Sequence, residues 1–247
     1  EEFLDTFKSI MEPKLKGRIA TEYVFQHLTD FVPEGAVVNP DRSKPWGTAH
    51  AVMCARNVVH ENFLVINADD FYGFDAFEKA ADFLNNRCNE KNYALIGYRL
   101  ENTLSEHGSV SRGVCQVDAA QNLVGIKERT KIYKEHETIF YEDESGKHPL
   151  PPASGVSMNF WCFHPGLFAF VEKMFLDFVQ ANSANPKAEF FIPIIAEDFM
   201  ENRGGHISVI PTSSQWFGVT YKEDAPFVKA CVEKLVADGA YPASLWQ

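Results

Sequence analysis

The chain has 247 residues, a formal net charge of −11 and 45% hydrophobic residues. That length can bury one large core or two small ones, and the negative charge makes the chain a poor general binder of nucleic acid or anionic membranes. No apolar run reaches the roughly 18 residues of a membrane span, and a start at Glu1-Glu2 leads us to expect no secretory segment. The five cysteines include no Cys-x-x-Cys, which favours reduced thiols in a cytoplasmic protein.

The spacing of apolar residues predicts helices and strands along the whole chain. In the first part we expect a helix over 1–11, a short buried strand over 22–26, a loop over 31–46, a helix over 48–59, a buried strand over 63–67, a helix over 74–86 and a strand over 93–98. This alternation predicts a mostly parallel α/β sheet. In the second part we expect strands over 109–118 and 123–127, a polar loop or hairpin over 130–152, a strand over 156–163, helices over 165–180 and 189–200, a strand over 206–210 and a last helix over 227–237.

A glycine comes directly before the second predicted helix, in the stretch Lys44-Pro-Trp-Gly47-Thr48. Glycine allows a flat ligand to approach the backbone closely, and the first turn of a helix offers unpaired N–H groups. The alternative is an ordinary loop in which Thr48 caps the helix.

Two neighbouring aspartates, Asp69 and Asp70, follow the apolar strand over 63–67. Ligands of open α/β sheets bind beyond the carboxyl ends of such strands. Mg²⁺ prefers carboxylates together with phosphate oxygens of a substrate. The pair therefore indicates a metal site, with a helix cap or a turn as the alternative.

The stretch from Lys44 to Gly73 resembles the nucleotidyltransferases that couple nucleoside triphosphates to sugar 1-phosphates. Gly47-Thr48-Ala49 is similar to the family's Gly-Thr-Ala/Gly stretch at the nucleobase, and Ala68-Asp69-Asp70 is similar to its metal-binding Ala-Asp-x. The resemblance implies a GT-A-like, Rossmann-type fold. It assigns Asp69 to the metal and to catalysis, and places Lys44 and Asp70 with Gly47 and Thr48 on the nucleotide side.

Weaker similarities follow in the same order as in that family. They imply acceptor-binding roles on the sugar side for several residues and a catalytic role for the lysine equivalent Lys131, which competes with Arg129 for this position. The acceptor residues are Arg112, Gly113, Glu128, Asn159 and Glu189.

Two departures from the family pattern are visible. The family's N-terminal Gly-rich phosphate loop is absent, so we expect this chain to be an N-terminally truncated fragment. In Trp216-Phe217-Gly218 a glycine stands where the family has a second metal aspartate. Asp224 is the candidate replacement, with a helix cap as the alternative.

We therefore expect one α/β domain over 1–247, with the remaining nucleotide-binding part over 1–100 and the acceptor-binding part and last helix over 101–247. The expected reaction is Mg²⁺-dependent transfer of a nucleotidyl group to a sugar 1-phosphate-like acceptor with release of pyrophosphate. The expected partners are a nucleoside triphosphate and a phosphorylated small molecule, not nucleic acid or membrane. The departures also allow a module of the same fold that binds a nucleotide or sugar nucleotide without turnover. A glycosyltransferase of this fold explains the sugar-side similarities less well.

Overall fold

A computed structural model of the chain describes residues 4–15, 17–105, 107–218 and 223–244. Its helices are α1 (Leu4–Leu15), α2 (Thr48–Cys54), α3 (Phe74–Asn86), α4 (Phe168–Asn182), α5 (Ile192–Asn202) and α6 (Asp224–Ala237). Its strands are β1 (Phe63–Val65), β2 (Asn92–Arg99), β3 (Val110–Val117), β4 (Leu123–Glu135), β5 (Thr138–Asp143), β6 (Gly146–Leu150), β7 (Gly155–Phe163) and β8 (His206–Pro211). None of the helices in these ranges is both long and apolar enough to cross a membrane.

The chain divides into two compact units, each made of two separate stretches. One unit is Glu1–Glu61 with Pro165–Asp198, and the other is Asn62–His164 with Phe199–Gln247. The expected division of a single domain into 1–100 and 101–247 stays a prediction.

The first unit has an aromatic core between α2 and α4. Trp46 and His50 are fully buried and contact the Phe175 ring, with ring centroids 5.7 and 4.5 Å apart. Phe190 closes this cluster from the stretch that precedes α5. The predicted strand over 22–26 is wrong, because these residues form no strand pairing and the Val24 side chain is 44% exposed.

The second unit contains the sheet, in the order β6-β5-β4-β3-β7-β2-β8, with β1 also paired to β7. The α/β class with a mixed sheet is confirmed. The predicted parallel majority is wrong, because among the described strands only the pair β2–β8 is parallel. The strands β3 to β6 follow one another through short turns, which forces neighbouring strands to run antiparallel.

Helix α3 covers one face of this sheet. It runs over 74–86 as predicted and buries Ala76, Ala80 and Phe83 in the core that Ile96 and Phe160 line from the strands. The polar stretch over 130–152 forms the hairpins of β4, β5 and β6, so the hairpin alternative of the sequence prediction is confirmed. The sheet thereby places the ends of β1, β3, β4 and β7 in one unit.

Candidate active site

The first unit holds four of the predicted site residues close together. Lys44 Nζ lies 2.7 Å from Glu189 Oε2, and Gly47 is the residue just before α2. Thr48 is the first residue of that helix and not its cap, and its Oγ1 accepts a hydrogen bond of 3.2 Å from the Ile192 N–H. The stretch from Lys44 to Thr48 is thus joined to the stretch from Glu189 to Ile192.

The backbone conformation and the packing of residue 47 explain why it is a glycine. Its φ of 109° and ψ of 179° lie in a region that glycine alone adopts readily. A Cβ built on this residue would lie 2.6 Å from the carbonyl oxygen of Phe190. The close approach that the sequence suggested for a ligand is therefore made by the Phe190 backbone.

His50, in the first turn of α2, is a packed histidine. Its Nε2 donates to the Asp30 carbonyl at 2.9 Å and its Nδ1 accepts from the Gln26 amide at 2.9 Å. Burial lowers the pKa of His50, and the hydrogen bond to Asp30 opposes this effect only in part. The Gln26 amide also donates to the Gly47 carbonyl at 3.0 Å, so His50 and Gln26 together fix the turn before α2.

The two aspartates that follow β1 have different surroundings in the second unit. The Asp69 side chain is exposed and makes no hydrogen bond or ion pair with another described residue. Asp70 is half-buried, and its Oδ2 accepts a hydrogen bond from Asn67 Nδ2 at 2.9 Å and lies 3.1 Å from the Tyr72 hydroxyl, whose single proton is shared between this carboxylate and the Met158 carbonyl. Burial raises the pKa of Asp70, while its hydrogen bonds lower it. Asp69 therefore keeps its full capacity to accept bonds, whereas much of the capacity of Asp70 is used within the protein.

Arg112 on β3 is a buried cation, with only 8% of its surface exposed. Its guanidinium donates to the carbonyls of Thr103 and Ser111 and stacks on the Trp216 ring at 4.9 Å. Burial lowers the pKa of Arg112 to about 10, against the raising effects of nearby Asp70 and Glu128. Arg112 therefore remains charged at neutral pH, and its terminal nitrogens are engaged by the backbone.

The predicted acceptor residues of the sheet lie on neighbouring strands. Gly113 on β3 pairs with Glu128 on β4 and with Ser157 on β7. The same Tyr72 hydroxyl lies 2.8 Å from the Met158 carbonyl, which connects the aspartate turn to the residue before Asn159. The register of three strands thus gathers these residues with Asp70.

Two of the predicted residues have an unusual backbone conformation. Asn159 has a φ of 58° within β7, and Lys131 has a φ of 50° within β4. Asparagine adopts this left-handed region more easily than lysine does. Each residue lies where the pairing register of its strand shifts, and the Lys131 side chain is exposed.

Asp224, the predicted second metal ligand, begins α6 and is 4% exposed. It accepts a hydrogen bond of 2.9 Å from Ser105 Oγ and lines a cavity of about 20 Å³ with Arg112 and Gly218. Asp69 is not among the residues that line this cavity. The structure therefore places Asp224 beside Ser105 and Arg112.

No side chain fits at Gly218 in the observed arrangement. A Cβ there would lie 2.3 Å from the Trp216 ring and 2.9 Å from Asp70 Oδ1. The Trp216 indole nitrogen is buried without a hydrogen bond of normal geometry. The Trp216 ring occupies the space that a carboxylate at position 218 would need.

Among the described residues, no group of three or more His, Cys, Asp or Glu side chains could hold a metal ion. Mg²⁺ bound with a nucleotide needs only one or two protein carboxylates, because phosphate oxygens and water complete its shell. The exposed carboxylate of Asp69 fits that kind of site.

Sequence reasoning missed the residues that support these groups. Arg42 is 6% exposed, stacks on Trp46 at 3.4 Å and donates to the Pro186 carbonyl at 3.0 Å. Tyr72 holds Asp70 and β7 together. Neither residue belongs to a motif, and their partners at Pro186 and Met158 are far away in the chain, so the sequence carried no signal for them.

Comparison with known proteins places this arrangement in a family. The sequence model of the family described as Nucleotidyl transferase matches residues 10–219. The chain belongs to the nucleotidyl transferase family. The match confirms the predicted family, and it includes every predicted site residue except Asp224. A comparison with curated protein sequences gave no match.

Solved structures of the same general kind are also similar, at low identity. A protein assigned as a glucose-1-phosphate thymidylyltransferase from Bacillus anthracis, solved with sucrose, has 13% identity and a TM-score of 0.48 over 75% of this chain and 60% of its own. The inositol-1-phosphate CTP transferase of T. maritima has 12% identity and a TM-score of 0.49 over 77% of this chain and 63% of its own. The CTP:phosphocholine cytidylyltransferase of Streptococcus pneumoniae has 9% identity and a TM-score of 0.45 over 76% and 64%. The chain therefore spans less than two thirds of the length of these three structures.

Proposed function

We propose that the protein transfers a nucleoside monophosphate from a nucleoside triphosphate to a phosphorylated small molecule of the sugar 1-phosphate class and releases pyrophosphate. The observation that carries the proposal is the family match over 10–219, which contains the Gly47 turn and the exposed Asp69. The sugar-side similarities of Glu128 and Asn159 favour a sugar over other phosphate monoesters. A cytoplasmic location stays a prediction from the sequence.

In this reaction the protein mainly has to position the two substrates and neutralise the charge of their phosphates. The acceptor phosphate oxygen is already a nucleophile, so no general base is needed, and transfer requires alignment of this oxygen with the α-phosphorus. A bound Mg²⁺ would supply charge neutralisation at the phosphates. Asp69 would hold the ion, and Lys44 and Lys131 are the exposed cations proposed to contact phosphate oxygens.

The surrounding residues would keep these groups in place. Asp70 is fixed by Asn67 and Tyr72 and so defines the turn on which Asp69 projects. The buried charge of Arg112 lies close to Asp70 and Glu128 and lowers the cost of holding two carboxylates near a polyphosphate. We therefore assign Arg112 a role within the protein and not a direct contact with the acceptor.

A second candidate function is nucleotide or sugar-nucleotide binding without turnover. It is favoured by the closed space at Gly218 and by the engagement of Asp224 with Ser105, because both leave Asp69 as the one proposed metal carboxylate. A single carboxylate together with phosphate oxygens and water suffices to bind a metal–nucleotide complex.

The two functions are separated by one set of reactions. The purified protein is incubated with Mg²⁺, each of five nucleoside triphosphates (ATP, CTP, GTP, UTP and dTTP) and a panel of sugar 1-phosphates, while pyrophosphate is measured. Acceptor-dependent release of pyrophosphate supports the transferase. Saturable nucleotide binding by calorimetry without release in any combination supports the binding module. Formation of a glycoside from a sugar nucleotide would instead indicate a glycosyltransferase.

A further inference from the structure

Glu189 lies in a position that its predicted role on the acceptor side does not explain. Its carboxylate oxygen is 2.7 Å from Lys44 Nζ, and Lys44 belongs to the stretch that leads into the Gly47 turn. The Glu189 side chain is 18% exposed and that of Lys44 is 52% exposed. The carboxylate is thus mostly buried, while the lysine remains accessible.

The two stretches that carry this ion pair are fixed to each other by backbone hydrogen bonds. The Phe190 N–H donates to the Trp46 carbonyl at 2.5 Å, and the Ala49 N–H donates to the Phe190 carbonyl at 3.0 Å. Glu189 precedes Phe190 directly, so its backbone cannot move independently of the turn. These hydrogen bonds therefore hold the two residues of the ion pair close to each other. We call the two joined stretches, 42–49 and 186–192, the frame.

Arg42 connects the two stretches of the frame through its own contacts. It stacks on Trp46 and donates to the carbonyls of Pro186 and Ala188, the latter being the residue before Glu189. Arg42 is buried and its guanidinium donates to backbone carbonyls, so its role is structural. Lys44 is the cation of this frame whose ammonium group is half-exposed.

We propose that Glu189 is a positioning residue for Lys44 on the nucleotide side of the reaction and not a ligand of the acceptor. This inference rests on the proposed function, in which Lys44 contacts a phosphate of the nucleoside triphosphate. A lysine side chain loses rotamer entropy when it becomes fixed. The contact with Glu189 confines the ammonium group before the nucleotide arrives, and two of its three N–H donors remain for phosphate oxygens.

The inference predicts that Glu189 and Lys44 act as one unit on nucleotide affinity. Glu189→Gln keeps the shape of the side chain and removes its charge. We expect the dissociation constant for the nucleotide to increase about fivefold, which corresponds to the loss of a contact worth roughly 1 kcal/mol. Lys44→Met should weaken binding further. In the Lys44→Met background, Glu189→Gln should have no additional effect, because the lysine that it positions is absent.

The chain offers a matched control in the same unit. Arg56, just after α2, and Glu172 on α4 form an ion pair of the same length, 2.7 Å. Glu172→Gln removes an equivalent charge and should leave nucleotide affinity unchanged. Glu189→Asp keeps the charge on a shorter side chain and should restore part of the affinity that Glu189→Gln loses.

The experiment is calorimetric titration of all variants with the nucleoside triphosphate that binds the unmodified protein most tightly among the five tested, at saturating Mg²⁺. A loss that disappears in the Lys44→Met background supports the inference. A loss that persists there, an unchanged affinity, or tighter binding by Glu189→Gln would overturn it while leaving the proposed function intact. If the unmodified protein binds none of the five nucleotides, the proposed function fails and the inference fails with it.

Discussion

The strongest test of the Gly47 turn is the substitution Gly47→Ala. The backbone there has φ 109° and ψ 179°, a conformation that costs a residue with a side chain about 1–3 kcal/mol. The new methyl group would also lie 2.6 Å from the carbonyl oxygen and 2.9 Å from the nitrogen of Phe190. Overpacking of this kind costs about 1–3 kcal/mol, so we expect Gly47→Ala to destabilise the first unit by about 2–6 kcal/mol.

Gly35 provides the control for this prediction. It also has a positive φ, 80°, but a Cβ built on it meets no atom within 4 Å. Gly35→Ala therefore bears only the conformational cost, about 1–2 kcal/mol. The difference between the two variants reports the contact with Phe190 together with the more unusual backbone conformation of Gly47.

The assay combines urea denaturation with hydrogen exchange of the Ala49 amide. This amide donates to the Phe190 carbonyl, so its exchange reports on the junction directly. We expect faster exchange at Ala49 in Gly47→Ala and unchanged exchange in Gly35→Ala. Equal costs for the two variants, with unchanged exchange at Ala49, would refute the explanation of Gly47 as a packing residue.

Two further predictions concern the second unit. Although burial acts to raise it, hydrogen bonds from Thr212 and Ser213 bring the pKa of Asp75 down to about 2, so its stabilising effect is present above the unfolded pKa near 3.8 and is lost as the pH falls towards 2. Asp75→Asn should therefore lower the free energy of unfolding by about 1 kcal/mol at pH 7 and by almost nothing near pH 2, as measured by urea denaturation across pH. Arg112→Met should destabilise the protein by about 2–4 kcal/mol, because it leaves the carbonyls of Thr103 and Ser111 without donors, and an unchanged midpoint of denaturation would contradict the structural role of Arg112.

Local sequence patterns predicted the elements whose signals lie within one segment. Helix α3 was predicted over 74–86 because its apolar residues recur at helical spacing, and the structure has the same bounds. The strand predicted over 22–26 failed because apolar composition alone does not supply a neighbouring strand. A strand is stable only when another strand pairs with it, and that is a property of the whole fold.

The direction of the sheet strands could not be deduced from the same patterns. Strand β7 lies between β2 and β3 and pairs with β1 as well, although a long stretch of chain separates β1 from β7. No local sequence pattern predicts the pairing of β1 with β7. The alternation of strands and helices near the start suggested parallel neighbours, and the insertion of β7 made them antiparallel.

In the candidate site, too, the sequence predicted what lies within one segment and not the contacts between distant segments. The sequence pointed to Asp69 and Gly47 through short motifs, whereas their surroundings depend on distant residues. The contact of Lys44 with Glu189 joins residues far apart in the chain. The exclusion of a side chain at Gly218 depends on the position of the Trp216 ring, which only the folded chain defines.

The central claim is that Asp69 holds the metal for nucleotidyl transfer. Its most direct test is pyrophosphate release by the purified protein with Mg²⁺, nucleoside triphosphate and sugar 1-phosphate, compared among the unmodified protein, Asp69→Ala and Asp82→Ala. Asp82 is an exposed aspartate on α3 in the same unit and serves as the control. We expect acceptor-dependent release of pyrophosphate that Asp69→Ala abolishes and Asp82→Ala leaves unchanged. Unchanged release in Asp69→Ala would contradict it.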